Sequence, residues 1–190
     1  MRKYIFIING AAGSGKDTFV DSLSIVTKDM IDTGGVENFS SVEVIKELAK
    51  KVGWDGSKRE SDRKFLSDLK QLCKEYNDLP FKSLIHTVSN FYKSINNEFL
   101  FLHIREREEI DRAKMAFGAL TVLVKRPNVS PVQSNASDKN VYDCNYDIII
   151  NNDGSISNLK DLAVRFISDV HNNKIKSEYF ANTYSKLINN

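Results

Sequence analysis

Apolar residues in this chain come in short unbroken runs that alternate with longer stretches at helical spacing. Residues 4–9 are apolar up to a final asparagine, as expected of a central parallel strand covered on both faces. Over 18–31, Phe19, Val20, Leu23, Val26 and Met30 share one helical face, and Gly34-Gly35 ends the run. Residues 37–41 predict a second strand. Val44, Ile45, Leu48, Ala49 and Val52 predict a helix over 42–52, followed by a turn at 53–56. Residues 57–76 read as a long charged helix whose apolar stripe is Phe65, Leu66, Leu69, Leu72 and Cys73. Pro80 opens a helix over 81–93, as proline at a first turn commonly does. Strands are predicted at 99–104, 120–125 and 146–151, and helices at 106–117 and 157–170. Residues 126–143 hold Pro127 and Pro131 and read as a long loop, a length that in compact domains often marks a functional lid. The tail, 171–190, is polar with scattered aromatics.

Buried strands alternating with helices predict a three-layer α/β fold: a five-stranded parallel sheet with helices on both faces. Ligands then bind beyond the carboxyl ends of the strands. The chemistry-bearing residues fall there: residues 10–16 after strand one, Ser41 after strand two, Arg105 after strand three, Arg126 after strand four and residues 151–154 after strand five.

Length and charge narrow the classes. The 190 residues suit a single domain with a full core. A net charge of +2, with basic and acidic residues interleaved, argues against a large nucleic-acid footprint. Cys73 and Cys144 lack metal-like spacing, so two free thiols are expected, as in a reducing compartment. The first apolar run is too short for a signal peptide or a membrane span, and no later stretch reaches spanning length. The expectation is a cytoplasmic protein with no membrane partner.

The most specific signal is Gly10-Ala11-Ala12-Gly13-Ser14-Gly15-Lys16-Asp17-Thr18, between the first strand and the first helix. A glycine-rich turn there aims backbone N–H groups and the positive helix end at one spot. That geometry holds a polyphosphate, and Lys16 adds a mobile charge for its terminal phosphates. The context makes a plain surface turn the weaker reading. ATP is the expected donor, held by residues 10–18. Asp17 takes the position where a hydroxyl usually follows the lysine, so Mg²⁺ would be held by phosphate oxygens, water and Thr18.

The Gly-Lys-x-Thr ending resembles adenylate kinase and its relatives, and Gly-Lys-Asp-Thr resembles the deoxynucleoside monophosphate kinases of phages and bacteria. The likeness continues in order through Phe39 to Glu47, through Gly53-Trp54-Asp55-Gly56-Ser57-Lys58 with Arg63 and Leu66, through Asn135-Ala136-Ser137-Asp138, and through Tyr146 to Ser155. It covers residues 4–170. The chain departs from that family at His103-Ile104-Arg105, where Asp-x-Arg is usual, and at Asn135, where histidine is common. The resemblance implies a P-loop kinase. Its core is expected at 1–41, 97–125 and 144–170, its acceptor-binding helices at 42–96 and its lid at 126–143.

Phosphoryl transfer needs positioning and cationic stabilisation more than covalent help. Lys16, Arg105 and Arg126 are the candidate cations at the reacting phosphates; the bland alternative for each arginine is a surface ion pair. Asp17 suits either orienting a metal-bound water or accepting a proton. Ser41, Lys46 and Arg63 are candidate acceptor contacts. Arg59 shares a helix face with Arg63, and both have acidic neighbours to pair with instead. Asn151 and Asp153 are candidates for bordering adenine, although Asn-Asp-Gly is also ordinary turn chemistry. Trp54 suits base stacking or a core plug, and His103 sits near the rim without ligand spacing.

The expected activity is phosphoryl transfer from Mg-ATP to a small phosphorylated acceptor, with a nucleoside or deoxynucleoside monophosphate implied by the resemblance. The alternatives are a kinase of dephospho-coenzyme A, phosphomevalonate or a sugar acid, and a non-catalytic ATP-binding sensor. Tyr179, Phe180 and Tyr184 in the tail suit a core cover or a homodimer contact.

Overall fold

The computed structural model describes residues 2–30, 33–127, 141–172 and 175. Most of the predicted lid, including Asn135-Ala136-Ser137-Asp138, and nearly all of the tail lie outside the described residues.

β1 (Tyr4–Asn9) is buried along its whole length and forms the centre of the sheet. After it come α1 (Lys16–Asp29), β2 (Gly35–Ser40), α2 (Glu43–Lys51), α3 (Glu60–Asn77), α4 (Leu79–Lys93), β3 (Asn97–His103), α5 (Arg107–Phe117) and β4 (Leu120–Lys125). A short 3₁₀ turn, Val141–Asp143, then leads to β5 (Ile148–Asn151) and α6 (Ile156–His171). All strand pairs are parallel, in the order β2-β3-β1-β4-β5. Alternation along β1 sends Phe6 and Ile8 to one face, against Phe19 and Leu23 of α1 and Phe166 and Ile167 of α6. Ile5 and Ile7 face the other side, against Leu84, Val88 and Phe91 of α4 and Ile110 and Ala113 of α5. Two separate apolar cores, one on each face, make the three-layer α/β fold that the alternation predicts. Among the described residues no helix is long and apolar enough to cross a membrane.

Most boundaries shift by one or two residues from the sequence expectation, and three of the shifts have a clear local reason. α3 begins at Glu60 rather than at 57, because Ser57 and Arg59 are used to cap it. The Asp62 carboxylate accepts from the Arg59 N–H (3.0 Å), the Arg59 Nε (2.8 Å) and the Ser57 hydroxyl (2.5 Å). The Arg59 guanidinium and the Ser57 hydroxyl hold that carboxyl down at about 2. β5 begins at Ile148 rather than at 146, because Asp147 turns its side chain onto β4. Its Oδ2 accepts from the N–H and the hydroxyl of Thr121, both at 2.8 Å. α1 begins at Lys16 rather than at 18, directly from the glycine turn.

The helices α2, α3 and α4 lie between β2 and β3 in the chain. α3 carries Lys70, which reaches across to α5 and pairs with Glu106 and Glu109, each at 2.9 Å. Lys70 and Glu109 are largely enclosed, so removing either one would leave the other charge buried without its partner. Arg112 of α5 completes the tie through Asp78 (2.6 Å) and lies over the Phe81 ring, 3.6 Å from its centroid.

Candidate functional site

The loop between β1 and α1 is built around two left-handed glycines, Gly13 (φ 77°) and Gly15 (φ 89°), conformations that cost residues with a Cβ about 1–2 kcal/mol each. Gly10 is required for a different reason. A Cβ there would lie 2.5 Å from the Ser14 Oγ and 2.7 Å from the Val124 carbonyl oxygen. The Ser14 N–H closes the turn onto the Ala11 carbonyl at 3.0 Å. No side chain caps α1, so its first N–H groups are left without side-chain partners at the loop. The Ser14 hydroxyl is buried and has no partner among the described residues. An uncapped 14-residue helix, a glycine cradle and an orphaned buried hydroxyl fit a polyphosphate. The Lys16 head, largely enclosed, rests on the Asp17 carboxylate at 3.2 Å.

Lys16 and Asp17 also line one end of a cleft of about 780 Å³. Ser40, Ser41 and Lys46 close it from β2 and α2, Arg63 and Lys70 from α3, and His103 and Arg105 from the end of β3. Phe39, Ile45 and Leu66 add apolar surface. The structure thus brings together seven predicted positions: Ala12, Lys16, Asp17, Ser41, Lys46, Arg63 and Arg105. Their charges are partly engaged. Lys46 pairs with Glu43 at 3.3 Å within α2, and Lys70 is held by its two glutamates. Arg59 does not join Arg63; it turns to Asp62 and to Asp55, 3.5 Å away. Trp54 donates its indole N–H to the Ser57 carbonyl at 3.1 Å and is absent from the cleft lining.

His103 is the enclosed titratable group of the cleft. Its Nδ1 lies 3.5 Å from the Asp17 carboxylate, and its Nε2 is buried without a partner among the described residues. Burial pushes its pKa down to about 4. The Asp17 carboxylate opposes that shift, and Lys16, Arg105 and Lys46 add to it. His103 is therefore neutral at neutral pH.

Asn9, fully buried at the end of β1, ties the site's parts together. Its Oδ1 accepts from the Gly10 N–H at 2.8 Å, and its Nδ2 donates to the Arg105 carbonyl (3.4 Å) and to the Tyr146 hydroxyl (2.9 Å).

Outside the glycine loop itself, four predicted positions do not line the cleft: Thr18, Arg126, Asn151 and Asp153. Arg126 is exposed at the end of β4 and does not line the cleft. Asn151 and Asp153 are exposed at the end of β5. Between them Asn152 is buried, and its Nδ2 donates to the Ser14 carbonyl at 2.8 Å. Asn152 and Lys70 are the residues the sequence reading missed. Asn152 is one of two adjacent asparagines in a turn, and no local signal says which one faces inward. Lys70 is one of many lysines on a charged helix. Thr18 is exposed, and its carbonyl accepts from the Ser22 hydroxyl at 2.7 Å. No group of three or more His, Cys, Asp or Glu side chains that could hold a metal ion occurs among the described residues.

The sequence matches no protein-family model and no curated protein sequence. Similar solved structures include shikimate kinase from Aquifex aeolicus, at 12% identity and TM-score 0.45 over 88% of this chain and 98% of that one. APS kinase from Mycobacterium tuberculosis is similar at 12% identity and TM-score 0.41 over 88% and 98%. Thymidylate kinase from Ehrlichia chaffeensis is similar at 13% identity and TM-score 0.30 over 100% and 98%. At these identities and scores the likenesses bear on neither activity nor substrate.

Proposed function

We propose that this chain is an ATP-dependent phosphotransferase that phosphorylates a small phosphorylated acceptor, a nucleoside or deoxynucleoside monophosphate, to the diphosphate. One observation carries the reading: the cation-lined cleft opens directly onto Lys16 of the uncapped phosphate loop. A donor phosphate on the loop and an anionic acceptor in the cleft then meet at one place.

Mg-ATP supplies the phosphoryl group. The loop amides and the Lys16 ammonium hold its phosphates, and Lys16 leaves the Asp17 carboxylate to do so. Asp17 would then be free to orient a water of a bound Mg²⁺, with Thr18 nearby. Arg63 and Arg105 grip the acceptor phosphate, for which a guanidinium fork is well matched. Phe39, Ile45 and Leu66 offer apolar surface to a base, which a small sugar-acid acceptor would leave uncovered. A monophosphate arrives ionised and needs no general base, consistent with a neutral, enclosed His103. Positioning and charge stabilisation are what this transfer requires of a protein.

The test is an ADP-release assay with Mg-ATP against all eight ribo- and deoxynucleoside monophosphates, with products identified by mass. Stimulation by one or a few, with the matching diphosphate formed, supports the reading and names the substrate. No stimulation by any of them refutes the acceptor assignment.

A further inference from the structure

We infer that Asn152 is the positioning residue of the donor site: it sets the direction of the Ser14–Gly15 peptide, and so aims the Gly15 N–H at the phosphates. The inference rests on the polyphosphate reading of the loop given above.

In a trans peptide the C=O and the following N–H point in opposite directions, and the described residues contain no cis bond. The Asn152 Nδ2 donates to the Ser14 carbonyl at 2.8 Å. That bond fixes the carbonyl on the outer side of the loop, facing the β5–α6 corner, and directs the Gly15 N–H to the opposite side. Without it the peptide is free to turn over and present an oxygen where an anion needs a donor.

Asn152 is built to hold this position. It is 6% exposed. Its own N–H donates to the Lys125 carbonyl at 2.7 Å, which extends the β4–β5 pairing by one residue and fixes its backbone. The contact leaves no spare room, since a Cβ on Gly15 would collide with the Asn152 amide. Gly15 therefore serves two purposes: it adopts φ 89°, and it lets Asn152 approach. A loop that binds phosphate through backbone amides needs those amides pre-aimed, because a peptide that must turn over on binding loses affinity. Asn152 reaches the loop from a segment 138 residues away, so the donor site is completed by the β5–α6 corner.

The test uses inorganic tripolyphosphate with Mg²⁺ as the probe, which isolates phosphate binding from base and acceptor contacts. Calorimetry on the full chain and on Asn152→Leu, which keeps the bulk but removes the donor, is paired with ¹⁵N NMR of the Gly15 amide and with thermal melting. The expected result is binding at least about tenfold weaker in the variant, the worth of one hydrogen-bonded backbone donor. The Gly15 amide shift seen in the unmodified chain is expected to be lost or much reduced. Asn152→Ala decides by the same measures if Asn152→Leu does not fold. A variant that melts like the unmodified chain and binds tripolyphosphate within about twofold of it, with the Gly15 shift retained, overturns the inference. An unmodified chain that does not bind tripolyphosphate overturns the polyphosphate reading, and this inference with it.

Discussion

The Asn9 side chain donates a 2.9 Å hydrogen bond to the hydroxyl of Tyr146, and that hydroxyl passes its own proton 2.8 Å to the carbonyl of Val141. The direction of the chain of bonds is set by the amide, whose oxygen is already taken by the Gly10 N–H. Burial pushes the Tyr146 hydroxyl pKa up, so it stays protonated and remains both donor and acceptor. The arrangement joins the start of the phosphate loop, the Arg105 backbone and the segment leading into β5. Tyr146→Phe leaves the Asn9 Nδ2 with only the longer bond to the Arg105 carbonyl and takes the donor from the Val141 carbonyl. The expected cost is about 1–2 kcal/mol of unfolding free energy, read from urea titrations. A change below about 0.3 kcal/mol would show that the bond contributes nothing net.

Arg59 and Arg63, four residues apart, meet different surroundings. Arg59 caps α3 through Asp62, whereas Arg63 lines the cleft. Arg63→Ala is expected to raise the acceptor KM by about tenfold or more while leaving the ATP KM within about twofold. Arg59→Ala is expected to lower the melting temperature and to leave both KM values in place. Steady-state kinetics on the two variants checks both statements, and an unchanged acceptor KM in Arg63→Ala would remove that residue from the site.

Much of this was legible in the sequence, and the rest failed for definite physical reasons. β1 and β4 coincide with their predicted bounds, because an unbroken apolar run ending in a polar residue leaves a buried strand little freedom. The glycine loop was readable because its turn requires left-handed and closely approached backbone, and such demands show as glycine. Edges were less readable where a side chain competes with the element. Asp147 gives up strand geometry to bond Thr121, and Ser57 and Arg59 give up helix to cap it. Cleft-lining positions at strand ends were recoverable where topology alone decides, as for Arg105 and Ser41. Asn152 depended on which of three consecutive turn residues faces inward, and that is decided by packing against Ser14 and Gly15. Arg126 met the same strand-end criterion as Arg105, yet it lies outside the cleft, because β4 lies on the far side of β1 from β3 and α2.

His103 provides a pH signature. Its folded pKa, about 4, lies below the ordinary imidazole value of about 6.5, so between these limits the unfolded chain binds the proton more readily. Stability must therefore rise with pH across that window and fall as the pH drops through it. His103→Gln removes this dependence, on the order of 1–3 kcal/mol between about pH 4 and 6.5. Chemical denaturation of both chains at several pH values measures the difference. Parallel curves across the window would show that His103 is not held neutral by its surroundings.

The central claim is that Lys16 and its loop deliver a phosphoryl group to an acceptor in the adjoining cleft. The most direct measurement follows label from [γ-³²P]ATP into nucleoside diphosphates, with the eight monophosphates supplied together, for the unmodified chain and for Lys16→Ala. The account predicts labelled diphosphate from the unmodified chain and none from Lys16→Ala, with melting temperatures that agree. Full transfer by Lys16→Ala, or release of label only as inorganic phosphate by the unmodified chain, would contradict it.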